Sequence, residues 1–260
     1  DIEEELRAIE KILNGVSLTG DYSLRTKDEL LSFGELISGK TVTALLNQLG
    51  LKAQLIDSRS LIKTDDVHNN AEVDQSISKE NVIRCFHDLD ADTIPVVTGF
   101  IASTKTGVTT TLGRNGTNYS AALLANFLDA SELINYTHVD GIFTANPDLV
   151  PDARLIDVIS YDEANELANF GANILHAKTI IPLIEKNIPL RICNTFNDDN
   201  QGTLIGPKTN NGGIKSLSVL DHMALINLEG RGLLGKVGID ARIFRALGQN
   251  GISVGIISQG

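Results

Sequence analysis

Apolar side chains recur along the chain with two different periods, and the changes between them predict alternating helices and strands. An amphipathic helix is predicted at the start, closing at Gly15, from the helical stripe Ile2, Leu6, Ile9 and Leu13. The stretch 32–50 predicts a second helix that ends at Gly50. The run 51–58 predicts a strand, and the continuous apolar, β-branched run 92–103 predicts one buried strand.

The same alternation continues in the second half of the chain. A helix is predicted over about 119–128, followed by a strand and a loop in 132–144. The stretch 160–187 predicts two helices broken at Gly171, and the apolar run 188–196 predicts another strand. Strands that alternate with helices indicate an α/β fold with a mainly parallel sheet covered on both faces.

The composition changes at 206–216, where Gly, Asn and Lys residues indicate a linker. Beyond the linker, 217–230 predicts a strand, 233–251 a turn and a helix, and 252–260 a second strand. A lone βαβ unit exposes its sheet edges. We therefore expect this unit to pair with residues outside the stretch or with a second chain.

Charge and cysteine content restrict the class of protein. With a net charge of −11 and 42% hydrophobic residues, the 260-residue chain can bury a core and would repel nucleic acid and anionic membranes. No apolar run approaches the ~20 residues of a membrane-spanning helix. Cys85 and Cys193 lack metal-ligand spacing, which predicts reduced thiols in a cytoplasmic protein.

The segment with the clearest chemistry is TLGRNGTNYSAALLANFLDA, residues 111–130. It places a Gly-Arg-x-Gly turn directly before a helix rich in small residues. Backbone N–H groups at such a turn, joined to a helix N-terminus, favour an anionic ligand.

Four motifs occur in the order typical of aspartate kinases of the amino acid kinase superfamily: SFGELIS, GRNGTNYSAALLA, THVDGIFTANPDLVPDAR and ELANFGANILHAKTI. The chain resembles that family from about Ser32 to Ile205, and its tail is similar to the opening half of an ACT regulatory domain of bifunctional aspartokinase–homoserine dehydrogenases. The resemblance implies an amino-acid-kinase-like αβα sandwich followed by a partial ACT-like βαβ unit. It divides the chain into a catalytic domain (1–205), a linker (206–216) and a regulatory segment (217–260).

The resemblance also implies an activity. Aspartate kinases transfer the γ-phosphoryl group of MgATP to the side-chain carboxylate of L-aspartate, giving 4-phospho-L-aspartate for amino-acid biosynthesis. ATP and Mg²⁺ are the implied cofactors, and an amino-acid effector at the ACT segment and a homo-oligomer are the implied partners. Such chemistry depends on positioning and on neutralising phosphate charge.

The implied aspartate contacts are Glu35, Arg114, Gly116 and Thr117. Glu35 would hold the substrate ammonium, and Arg114 its carboxylate, through charge-assisted hydrogen bonds. From the residues alone, Glu35 is first interpreted as an acid in a first helical turn, and Arg114 is also compatible with a surface arginine that bridges two loops.

Several positions depart from the family pattern. The implied catalytic positions hold Asn118, where the family has Asp, and Asn173, where it has Lys. The implied nucleotide contacts are Thr137, His138, Asp140, Phe143, Asp148, Asn173 and Ile174. His138 replaces an Asp and Asp148 an Arg. If these two are neighbours in space, the exchange predicts an ion pair between them; the alternative is two unrelated surface residues.

The family's phosphate-binding strand, a Lys-x-Gly-Gly segment, has no counterpart before Ser32, so we expect no turnover from the 260 residues alone. Three hypotheses remain open: an aspartate kinase module without its N-terminal part, a degenerate kinase with a regulatory or structural role in a larger bifunctional protein, and an ACT-type amino-acid sensor.

Overall fold

The computed structural model describes residues 2–169, 177–207, 213–219, 224–228, 238–252 and 254–258. The helices are α1 Ile2–Thr19, α2 Leu24–Gln48, α3 Ser58–Leu61, α4 Gln75–His87, α5 Gly116–Phe127, α6 Tyr161–Asn169, α7 Ala177–Lys186 and α8 Ile239–Gln249. The strands are β1 Ala53–Ile56, β2 Lys63–Thr64, β3 Ile94–Val97, β4 Ile101–Thr104, β5 Thr109–Thr111, β6 Leu133–Thr137, β7 Val158–Ser160, β8 Leu190–Asn194 and β9 Thr203–Gly206.

The strands form three sheets with mostly parallel pairing, which confirms the predicted α/β class. Their orders are β1-β3, β2-β4-β5 and β6-β8-β9-β7. Only the β4–β5 and β8–β9 pairs are antiparallel among the described strands. Parallel neighbours need helical crossovers, which is why helices separate most consecutive strands.

Helix α5 joins two hydrophobic cores. Ala122 and Ala125 belong to a cluster with α7 and the β6-β8-β9-β7 sheet, whereas Leu123 and Phe127 belong to a cluster with α4 and β4. Small residues on one face and larger apolar residues on the next let a single helix pack on both sides. The N-terminus of α5 is therefore fixed where the two halves of the domain meet.

Among the edge strands of the described sheets, β3 and β6 are of interest for the site. β3 pairs with β1 and β6 pairs with β8, and neither has a second partner within the described ranges. On β6 the outward side chains Ile134 and Tyr136 are 43% and 63% exposed. An unpaired apolar edge of a parallel sheet is a place where a further strand can add.

The helix ends differ from the sequence-based predictions. α1 runs through Gly15 to Thr19 instead of ending at the glycine. α2 begins eight residues earlier than predicted, because the Ser23 side chain accepts a hydrogen bond from the Thr26 N–H and caps the helix. None of the helices within the described residues is long and apolar enough to cross a membrane.

Three strand predictions differ from the described structure. The run 92–103 is not one strand, since β3 and β4 lie in different sheets with a bend between them. In the tail, α8 is present as predicted, and the described parts of the two predicted strands, 217–219, 224–228 and 254–258, contain no strand, while the rest of both stretches lies outside the described residues. β-branched patterning favours a strand only where a neighbouring strand supplies hydrogen bonds.

Candidate functional site

The Gly-Arg-x-Gly turn uses left-handed backbone conformations. Gly113 has φ 77° and Asn115 has φ 57°, both in the left-handed region, and α5 begins directly afterwards at Gly116. Asn115 makes no side-chain cap, so the first N–H groups of the helix are not used by that side chain. The N-terminus of a 12-residue helix is the kind of position that favours an anionic group.

The bend between β3 and β4 lies against this helix start. Phe100 has φ 64°, an unusual conformation for a bulky residue, and its N–H donates to the Ser120 Oγ at 3.0 Å. A Cβ atom on Gly99 would lie 2.6 Å from the Thr117 Cγ2, and one on Gly116 would lie 2.7 Å from the Phe100 Cδ2. The bend and the first turn of α5 are therefore in direct contact.

Glu35 completes this arrangement. Its half-buried carboxyl has a pKa raised above the usual value because burial disfavours the charged form, while a hydrogen bond from the Gly99 backbone N–H opposes the rise. We call Glu35, Gly99, Phe100, Gly116 and Thr117 the Glu35 cluster. Because burial disfavours the charged form of Glu35, a cationic ligand next to it would stabilise that charge.

Arg114 lies in the same turn, two residues before Gly116, and is exposed. A guanidinium on the turn before α5 and a half-buried carboxylate on α2 carry the opposite charges that the two ends of an amino acid need. Asn118 follows in the first turn of α5 and is half-buried. The sequence analysis did not identify two members of the cluster, Gly99 and Phe100. Gly99 interrupts the β-branched run 92–103, and such a glycine in a strand pattern could have indicated a bend there.

A second group of predicted residues lies on the loop after β6, which we call the 137–148 loop. The Asp140 carboxylate accepts hydrogen bonds from the Asn194 Nδ2 at 2.7 Å and the Asn197 Nδ2 at 3.1 Å, which lower its pKa. His138 is exposed, and its Nδ1 lies 3.4 Å from the Thr137 hydroxyl oxygen. The end of β6 thus presents hydroxyl, imidazole and carboxylate groups together.

The distal part of this loop is held by backbone contacts. Phe143 forms an antiparallel bridge with Leu155. The linker reaches the same place, because the Leu217 N–H donates to the Thr144 carbonyl at 2.9 Å and the Ser216 hydroxyl donates to the Phe143 carbonyl at 2.8 Å. A segment from the linker boundary therefore contacts the loop that the sequence predicted to bind nucleotide.

Within the described residues no ion pair joins His138 and Asp148, which agrees with the alternative of two unrelated surface residues. The Asp148 N–H instead donates to Asn146 within a local turn, and the side chain is exposed. The predicted site residues Asn173 and Ile174 lie outside the described residues. Within the described part of the chain, no group of three His, Cys, Asp or Glu side chains could hold a metal ion.

Comparison with protein families shows two matches along the chain. A profile of the amino acid kinase family matches residues 3–194. A profile of the ACT domain matches residues 226–260. The first covers most of the chain, including both groups of site residues, and the second covers α8.

Individual relatives agree with these family matches. Bifunctional aspartokinase/homoserine dehydrogenase 1 of Zea mays is 34% identical over 99% of this chain and 29% of its own length. E. coli aspartokinase III in complex with aspartate and ADP is 32% identical, with a TM-score of 0.84, over 100% of this chain and 58% of its own. The same enzyme in complex with lysine and aspartate is 33% identical, with a TM-score of 0.83, over the same shares of both chains. The chain thus spans well under two thirds of these relatives.

Proposed function

Because the chain belongs to the amino acid kinase family, and its relatives include aspartokinases, we propose that it forms the aspartate-binding part of an aspartokinase. The proposed reaction of the whole protein is ATP-dependent phosphorylation of L-aspartate to 4-phospho-L-aspartate. We propose the same domain division as above: a catalytic part over 1–205, a linker over 206–216 and an ACT-type segment over 217–260.

The observation that carries the proposal is the Glu35 cluster. The raised pKa of Glu35 means that a substrate ammonium would relieve the burial of its charge. Arg114, on the neighbouring turn, would bind a substrate carboxylate in fork geometry. Thr117 and the N-terminus of α5, beginning at Gly116, would supply further donors to the anionic end.

ATP is proposed to lie against the 137–148 loop, with Thr137, His138, Asp140 and Phe143 as contacts. Hydroxyl and imidazole groups at an exposed strand end can accept and donate to a nucleotide, and Asp140 is already oriented by two amides. Roles for Asn118, Asp148, Asn173 and Ile174 are proposed on the same basis. Magnesium commonly binds through one or two carboxylates plus substrate phosphates, so its ligands would come mainly with the nucleotide.

The open edges of β3 and β6 support one further element of the proposal. The phosphate-binding strand of the family, which has no counterpart before Ser32, would add at these edges and bury Ile134 and Tyr136. Its lysine would supply a positive charge that the described site residues lack on the nucleotide side. We therefore propose that turnover of aspartate requires this strand together with the described site residues.

A second candidate is a regulatory or structural role in a larger bifunctional protein. The observation in its favour is the contact of Ser216 and Leu217 with the 137–148 loop, which connects the ACT-type segment to the nucleotide side. In that case an amino-acid effector would act on the tail, and aspartate turnover would not be the purpose of the domain. A homo-oligomer is proposed for both candidates.

Isothermal titration calorimetry with L-aspartate tests the first proposal. We expect binding by the wild type, about tenfold or weaker binding by Glu35→Gln, and about the same loss when succinate replaces L-aspartate, because both changes remove one charge-assisted hydrogen bond. Glu29→Gln, another half-buried glutamate on α2, is the matched control.

Hydroxamate trapping with MgATP and L-aspartate gives the second readout. We expect no aspartyl phosphate from the 260-residue chain. Turnover near the ~1–100 s⁻¹ of kinases would show that the phosphate-binding strand is dispensable. Absence of L-aspartate binding, or equal binding by wild type and Glu35→Gln, would refute the proposed role of the Glu35 cluster.

A further inference from the structure

Asp28 is a fully buried carboxylate that the proposed reaction does not use. It lies on α2 with a relative exposure of 0%. Its Oδ2 accepts from the His68 Nδ1 and the Asn69 N–H, both at 2.9 Å, and its Oδ1 accepts from the Thr111 hydroxyl at 2.7 Å. Since a carboxylate only accepts, His68 donates here through Nδ1. A buried carboxylate is costly unless it is satisfied in this way.

The three donors come from two chain segments that are separate in sequence. His68 and Asn69 belong to the turn after β2, where Asn69 has φ 71°, and Thr111 is the last residue of β5. The Ala71 N–H also donates to the Thr111 carbonyl at 2.9 Å. The carboxylate of Asp28 therefore ties α2 to both segments at one point.

The tied segments support the turn that carries Arg114. A Cβ atom on Gly113 would lie 2.7 Å from the Asn70 Oδ1 and 3.1 Å from the Asn69 carbonyl oxygen, so the turn rests directly on the 68–71 segment. Thr111 is only three residues before Arg114. Displacement of either segment would move the guanidinium.

The same helix carries the other charged group of the site. Glu35 follows Asp28 by seven residues, which is two helical turns, so both side chains lie on one face, roughly 10 Å apart along the axis. Phe33 and Leu36 are buried in a cluster with Ile101, which anchors this part of α2 beside the β3–β4 bend. One rigid helix thus sets the positions of Glu35 and of the Arg114 turn.

We propose that Asp28 is a positioning residue of the substrate site: it fixes the separation between the Glu35 carboxylate and the Arg114 turn. The part of this inference that concerns L-aspartate rests on the proposed function. The part that concerns the position of the turn stands on the geometry of Asp28, Asn69, Thr111 and Gly113 alone.

Two variants and two controls test this. Asp28→Asn places an amide N–H₂ or a single acceptor where three donors converge, and Thr111→Val removes one donor while it keeps the side-chain shape. Asp74→Asn replaces another carboxylate that caps a backbone N–H, at the start of α4. Ile205→Val lowers core packing in the distant β6-β8-β9-β7 sheet.

The first readout is amide hydrogen exchange of the unliganded chain, which needs no substrate. We expect faster exchange in 68–71 and 112–117 in Asp28→Asn and, to a smaller extent, in Thr111→Val. Both controls should leave these segments unchanged relative to the rest of the chain. Unchanged exchange in 112–117 in a folded Asp28→Asn variant would overturn the proposal, and if that variant does not fold, Thr111→Val decides it by the same criterion.

The second readout is calorimetric titration with L-aspartate. We expect about tenfold weaker binding by Asp28→Asn and about threefold by Thr111→Val, since a displaced charge-assisted contact is weakened and not removed. Ile205→Val, destabilised elsewhere, should bind normally. Full affinity in Asp28→Asn would overturn the positioning role. If the wild type itself binds no L-aspartate, the proposed function fails, and hydrogen exchange alone judges the role of Asp28.

Discussion

The Glu35 cluster and the 137–148 loop are held in opposite ways. The cluster joins α2, the β3–β4 bend and the start of α5, which are distant in sequence, through close backbone contacts and a strained Phe100. The loop is exposed at His138 and Asp148, whereas its middle is held by Asn194, by Thr203 and by the bridge to Leu155. The cluster is therefore built from buried backbone contacts between distant segments, and the loop combines such anchors with exposed polar ends.

This difference has an energetic counterpart. Burial disfavours the charge of Glu35, and the left-handed backbone of Phe100 is energetically unfavourable. Packing by the surrounding structure must therefore hold both residues in place. Asp140 in the loop is the reverse case, since two amides lower its pKa and stabilise its charge. Unfavourable groups kept in place by surrounding structure are typical of binding sites, which is why the cluster carries the proposed function.

The largest expected effect is on Arg114. We expect Arg114→Ala to weaken L-aspartate binding about 100-fold and Arg114→Lys to recover only part of it, because a lysine cannot form the bidentate fork. Arg154→Ala, an exposed arginine beside the other loop, should bind L-aspartate like the wild type. Equal effects of the two alanine variants in calorimetry would mean that the guanidinium acts through net charge only.

Glycine substitutions should separate the two regions. A Cβ on Gly99 meets Thr117, and one on Gly141, at φ 143°, meets the Thr203 Oγ1 at 2.5 Å. We expect each alanine variant to lose about 1–3 kcal/mol in urea denaturation because of overpacking. Only Gly99→Ala should also weaken L-aspartate binding, by about tenfold.

Gly15→Ala is the matched control for these two variants, because open space surrounds that helical position. It should gain up to about 1 kcal/mol of stability. Weaker L-aspartate binding by Gly141→Ala, at unchanged binding by Gly99→Ala, would reverse the assignment of the two regions.

A smaller effect is expected on the pH dependence of stability. Because the folded-state pKa of Glu35 is raised, its favourable contribution is present below the unfolded pKa and is lost as pH rises through the folded pKa. Relative to Glu35→Gln, the wild type should therefore lose stability from about pH 4 towards neutral pH. The change should stay below about 1 kcal/mol, since solvent screens a half-buried carboxyl.

Thermal unfolding of both proteins across this pH range measures the difference. Saturating L-aspartate should diminish it in the wild type, because an ammonium next to Glu35 compensates for the burial of its charge. A wild type that gains stability relative to Glu35→Gln as pH rises would contradict the direction of the pKa shift.

The smallest effect is expected at the linker contact. Ser216→Ala removes one hydrogen bond to the Phe143 carbonyl, so amide exchange of 142–145 should accelerate less than about fivefold, with L-aspartate binding unchanged. Ser218→Ala, exposed in the same segment, is the control. Identical exchange in both variants would show that the linker does not stabilise the 137–148 loop.

Local patterns in the sequence determined a large part of the architecture. The helical stripes of α1 and α2, the small-residue helix after the Gly-Arg-x-Gly turn and the run that forms β8 depend on neighbours within a few residues, and they are present in the structure. The order of four motifs likewise indicated the family, and with it Glu35 and Arg114 as candidates. Helix periodicity and turn chemistry are short-range properties, so the sequence alone expresses them.

The remaining features required the tertiary structure. The apolar run 92–103 has no local mark that assigns its halves to two sheets, and the strand-like pattern of the tail is not matched by a strand in its described residues. Asp28 reads as an ordinary helical aspartate until Asn69 and Thr111, 41 and 83 residues away, converge on it. Strand pairing and burial of charge depend on segments far apart in the chain, and folding alone brings those segments together.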